Sequence, residues 1–77
     1  MLRVQEVAPD SLGAELGLQA GTELLAINER PLEDFLDWEF LTADETFVLR
    51  ARLPSGQELE YDIERPEGMP LGIGLEP

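Results

Sequence analysis

Residues 7–28, Val7-Ala8-Pro9-Asp10-Ser11-Leu12-Gly13-Ala14-Glu15-Leu16-Gly17-Leu18-Gln19-Ala20-Gly21-Thr22-Glu23-Leu24-Leu25-Ala26-Ile27-Asn28, alternate aliphatic runs with turn formers, and their reading decides the fold. Val7 closes an aliphatic-rich segment that starts at Leu2, and Pro9-Asp10 stops it, so 2–7 reads as a strand entering a turn. Val4 and Val7 are out of phase for a regular strand, whose side chains alternate between two faces. Asp10 or Ser11 can accept hydrogen bonds from the free amides of a first helical turn, Glu15 suits the positive end of the helix dipole, and Gly17 can end the helix in a left-handed conformation. A very short helix over Leu12 to Leu16 is the result. Gln19 to Thr22 form a turn, and Leu24-Leu25-Ala26-Ile27 is a brief apolar run suited to a buried strand.

Beyond this stretch, Asn28-Glu29-Arg30-Pro31 is a second turn, since Asn tolerates a positive φ and Pro fixes its own. Leu36 and Phe40 then recur at helical spacing, Asp37 and Leu41 lie beside them, and Asp34 can cap the start, predicting a main helix over Phe35 to Ala43. Phe47, Leu49, Ala51 and Leu53 alternate with Thr46, Val48, Arg50 and Arg52. After a Leu53-Pro54-Ser55-Gly56 turn, Leu59, Tyr61 and Ile63 alternate with Glu58, Glu60, Asp62 and Glu64, so the two segments predict an antiparallel hairpin with Arg50 and Arg52 opposite the acidic face. The tail is a loop over 65–70, then Leu71-Gly72-Ile73-Gly74-Leu75 and a final Glu76-Pro77.

At 77 residues the chain is one domain at most, and a chain of this size buries only about 60% of its unfolded surface. It has no cysteine and no histidine, which excludes Ser-His-Asp and Cys-His catalysis, thiolate clusters and the usual zinc sites. Seventeen acidic residues face five arginines, a net charge of −12 that disfavours nucleic acid and anionic membranes as partners. The first residues form no apolar signal region, and no apolar run approaches a membrane span, so the expected location is cytoplasmic. The carboxylates Glu33, Asp34, Asp37, Glu39, Asp44 and Glu45 do not follow the EF-hand spacing and have no cation among them to split acid and base roles. They read as a solvated face rather than as a hydrolase or metal site, and no cofactor is expected.

Val7-Ala8-Pro9-Asp10-Ser11, Gly17-Leu18-Gln19-Ala20-Gly21 and Leu24-Leu25-Ala26-Ile27-Asn28 together resemble the strand, Pro-x-Ser turn, Gly-Leu-x-x-Gly and second strand of a PDZ domain. Glu23 after Thr22 and Glu29 after Asn28 depart from the family pattern. Leu71-Gly72-Ile73-Gly74-Leu75 resembles the family's carboxylate-binding loop, placed late in the chain as in circularly permuted bacterial members. The resemblance implies a small α+β fold, a PDZ-like partly open antiparallel barrel or sandwich of five to six short strands with one short and one longer helix. Residues 1–77 would form this single domain, the N-terminal part of a longer protein. Residues 33–44, Glu33 to Asp44, are similar to the helix in the N-terminal PDZ segment of bacterial radical-SAM, iron–sulfur oxidoreductases. That similarity implies a non-catalytic module docking against a following iron–sulfur region; the alternative is a free-standing adaptor for protein C-termini.

The PDZ resemblance makes Leu71, Gly72, Ile73 and Gly74 the candidate carboxylate loop, with amides offered to a peptide terminus. A tight turn entering a strand is the plainer alternative. It also matches Asp37 and Leu41 to groove positions on the main helix, although a helical Asp commonly just faces water. Phe35, Leu36, Trp38, Phe40 and Leu41 make that helix apolar over more than one face. Phe35 and Trp38 are therefore interface candidates, with Trp38 expected to be an exposed anchor rather than core. The expected partner is a following domain of the same polypeptide or a C-terminal peptide.

Overall fold

The computed structural model describes residues 2–66 and 69–77; Met1 and the Glu67-Gly68 portion of the expected 65–70 loop lie outside them. Strand β1 (Leu2–Val7) leads through the Pro9-Asp10 turn into α1 (Leu12–Glu15). Ser11 caps α1 as expected. Its Oγ accepts from the Ala14 amide at 3.3 Å and donates to the Ala8 carbonyl at 2.6 Å. Next come β2 (Glu23–Ile27), a two-residue β3 (Arg30–Pro31), α2 (Phe35–Leu41), β4 (Thr46–Arg52), β5 (Glu58–Glu64) and β6 (Ile73–Leu75).

The six strands form one sheet in the order β5-β4-β2-β1-β6, with β3 attached to β2 and both ends open, so the sheet does not close into a barrel. The hairpin follows its binary pattern. Phe47 faces Ile63, Leu49 faces Tyr61 and Ala51 faces Leu59, while Arg50 faces Glu60 and Arg52 faces Glu58. Arg52 reaches both Glu23 at 3.3 Å and Glu58 at 3.4 Å, tying three strands at the solvent face. The last strand returns to the first: Val4 pairs with Leu75, Glu6 with Gly74 and Val7 with Ile73. This antiparallel β1–β6 contact is the one that the permuted order requires, and the whole is a small PDZ-like α+β domain.

A register shift between Val4 and Glu6 explains the broken alternation in β1. One extra residue reverses the facing of every later position in the strand, so Val4 is fully buried and Val7 still packs against the same core. That core gathers Leu24, Ile27, Leu32, Leu49, Ala51 and Ile63 from the strands and 28–34 connection, with Leu12, Leu18 and Trp38. Helix α2 ends two residues earlier than the spacing predicts. The Thr42 hydroxyl donates to the Trp38 carbonyl at 2.7 Å, and Ala43 donates to Phe40 rather than one residue further back. A Thr hydroxyl that takes the i−4 carbonyl competes with the helical ladder and favours termination.

Candidate functional site

A groove runs between α2 and β6, at the open edge of the sheet. Its walls come from Phe35, Trp38, Glu39 and Thr42 on the helix side and Leu71 and Ile73 on the strand side, with Arg65 also lining it. On its other side Phe35 also lines a neighbouring cleft of roughly 600 Å³ between the start of α2 and the Leu75–Pro77 segment, which forms the far end. Of the candidates read from the sequence, the fold thus brings Phe35, Trp38, Leu71 and Ile73 together around one groove.

The loop entering β6 is held by its carbonyls. Those of Pro70, Leu71 and Gly72 accept from the amides of Leu12, Gly13 and Ala8 at 3.3, 2.9 and 2.7 Å. All peptide bonds among the described residues are trans. In a planar trans peptide the carbonyl and the following N–H point in opposite directions, so carbonyls turned onto α1 and onto Ala8, just after β1, leave the amides of Leu71, Gly72 and Ile73 turned outward. Ladder geometry agrees for Ile73. With Ala8 bonded to Gly72, the Val7–Ile73 pair is of the non-hydrogen-bonded kind, and its main-chain groups lie on the far side of β6. Gly72, at φ 70, sits against Ser11, where a Cβ would overlap the Ser11 Cβ and Oγ. Gly74 lies opposite Glu6 in the ladder.

Trp38 is not an exposed anchor: it is 6% exposed and belongs to the core, with one edge forming the groove wall. Its backbone explains the placement, because Trp38 lies one turn after the Asp34 cap, on the helix face that meets the sheet. Phe35 is exposed as expected and lines both the groove and the far cleft. Asp37 and Leu41 are not among the groove-lining residues. The Asp37 carboxylate accepts from the Glu33 amide at 3.1 Å while Asp34 accepts from the Asp37 amide at 3.0 Å, so both side chains are used at the helix start. Leu41 packs on the core and borders a separate cleft with Asn28, Arg30 and Phe40. One residue of helical rotation is about 100°, which is why Trp38 and Thr42, rather than Asp37 and Leu41, face β6.

Sequence patterning does not single out Arg65 or Thr42. Arg65 is anchored by its own amide, which donates to the Glu45 carbonyl at 2.8 Å, and it lines the groove beside Leu71 and Glu39. The only signal in the sequence is modest: a lone arginine directly after the acidic 58–64 strand.

No family model matches the sequence. Two curated proteins are similar to it. Protease RseP of Yersinia pestis is 40% identical over 72 residues, and Regulator of sigma-E protease RseP of Escherichia coli K12 is 32% identical over 74 residues. These alignments take in 94% and 96% of this chain but only 14% of each relative, so the chain spans about one seventh of the proteins that it matches. Neither relative is named as an iron–sulfur oxidoreductase, and the resemblance of residues 33–44 finds no support in them.

Proposed function

We propose that this chain is a non-catalytic interaction module that accepts an extended segment as an added strand on β6, beneath α2. One observation carries the reading: three successive carbonyls, of residues 70–72, are bonded inward, which turns the next three amides outward beside Arg65. Successive amides of this kind form a concavity suited to a carboxylate, and an open strand edge supplies the main-chain ladder that extends the contact. The ladder is short. β6 has three residues, and Pro77 has no N–H to give. A free peptide should therefore bind at about 1 mM, or about 4 kcal/mol. Tethering raises the local concentration of a ligand to the millimolar range, so such a site suits a segment of the same polypeptide or of a stably associated partner.

Two relatives that are much longer than this chain support its placement within a larger protein, where it would position or regulate a catalytic region. Their names favour a protease as that region, whereas the residue 33–44 resemblance favours an iron–sulfur enzyme. Assaying the full-length polypeptide for peptide-bond cleavage and for cluster absorbance separates the two. A second docking reading rests on Leu36 and Phe40, which are 72% and 75% exposed one turn apart on the outer face of α2.

The test is an amide chemical-shift titration with peptides that end in a free carboxylate or in a carboxamide. Shifts should centre on Leu71 to Leu75, and Arg65→Glu should weaken the carboxylate peptide by about fivefold while leaving the carboxamide peptide unchanged. Shifts centred instead on Leu36 and Phe40 would replace strand addition by docking on the outer helix face.

A further inference from the structure

We infer that the preferred ligand carries an arginine or lysine three or four residues before its terminal carboxylate. This rests on the strand-addition reading and specifies the chemistry of its ligand. The two ends of the groove differ in charge: at the loop end Arg65 offsets Glu39 beside the outward amides, while Glu33, Asp34 and Glu76 border the cleft at the far end. Arg3 also borders that cleft, but its guanidinium lies 3.6 Å from Glu23, so the far end remains net negative.

Distance sets the ligand spacing. From Ile73 to Glu76 is three residues, about 10 Å of extended chain, and an added strand covers that length in the same number of residues. The far cleft has the surfaces that a long cationic side chain uses. Leu2 and Leu75 offer an apolar bed for its methylenes, and the Phe35 ring, 54% exposed, offers an aromatic face next to the carboxylates. This also explains why a large aromatic at that position is left open to water. A ligand lying in the opposite direction would place its carboxylate among Glu33, Asp34 and Glu76, and its cation where Arg65 already offsets Glu39, which forfeits the attraction at the far end. A second copy of the chain is a poor occupant, because two molecules at −12 repel.

The experiment compares two hexapeptides with the same apolar last residue and free carboxylate, one with arginine and one with glutamate at the fourth position from the end. Amide shifts of the 77-residue chain give both the affinity and the location of binding. The arginine peptide should bind about fivefold more tightly at low salt, and the preference should shrink in about 0.5 M salt. It should also shrink in the double variant Glu33→Gln, Glu76→Gln, which leaves only Asp34 at the far end; both side chains are exposed and neither caps α2, so the fold is expected to survive. Phe35→Leu should weaken the arginine peptide alone. Equal affinity for both peptides, with shifts still at Leu71 to Leu75, would overturn the inference and leave strand addition standing. An arginine preference undiminished in the double variant would also overturn it. Absence of shifts at Leu71 to Leu75 with either peptide would remove strand addition and this inference together.

Discussion

At Asn28 and Glu29 the chain turns between β2 and β3 with φ of 50° and 67°, the left-handed pair of a tight hairpin turn. Asn28 is suited to it, and its Oδ1 also accepts from the Val48 amide at 2.9 Å. Glu29 has no such compensation, and a left-handed non-glycine residue costs about 1–2 kcal/mol. Glu29→Gly should therefore stabilise the fold by about 0.5–1 kcal/mol, part of the relief being offset by greater freedom in the unfolded chain. Gly72 predicts the opposite sign. Its φ of 70° disfavours any side chain, and a Cβ would collide with Ser11, itself buried and fully engaged. Gly72→Ala should cost about 2–3 kcal/mol, more than the conformational penalty alone. Urea titrations of the two variants check both values; a neutral Gly72→Ala would show that the loop can move off Ser11.

Among the elements, α2 shows most clearly how far the chain could be read in one dimension. Its start, its Asp34 cap and its excess of apolar residues over one face were all legible, because they depend on neighbours within one turn. Which face met the core was not. A helical pattern sets the angles between side chains but not the rotation of the whole helix, and the bonds of Asp34 to the Asp37 amide and of Asp37 to the Glu33 amide, together with Trp38 packing, set that rotation. The elements also differ in how firmly they are held. β4 has seven residues and is paired on both sides, whereas β6 has three and is paired on one. Hydrogen exchange should find the β4 amides slower than those of β6 by at least about tenfold, since edge segments open without global unfolding. Equal protection would show that β6 opens only with the whole domain, and would argue against an edge that rearranges to admit a ligand.

For the whole molecule, charge and topology are the controlling quantities. The ion pairs of Arg3, Arg50 and Arg52 with Glu23, Glu58 and Glu60 lie at partly exposed positions, where such pairs contribute little. Repulsion among the remaining carboxylates of a chain at −12 is the larger effect, so raising salt to about 0.5 M should increase Tm. A Tm that falls with salt would mean that the arginine pairs outweigh the repulsion. The amino-acid sequence by itself determined the hairpin, the capped helices, the absence of thiol and imidazole chemistry and the acidic surface, because each depends on composition or on residues a few positions apart. It also marked Leu71-Gly72-Ile73-Gly74 as a loop of special backbone. Only the tertiary structure decided that this loop is bonded by α1 and Ala8 through its carbonyls, that Trp38 lies inside while Leu36 and Phe40 lie outside, and that Arg65 lines the groove. Those outcomes depend on contacts between segments far apart in the chain, such as Val4 with Leu75, and on a one-residue bulge in β1 that local alternation could register only as an irregularity.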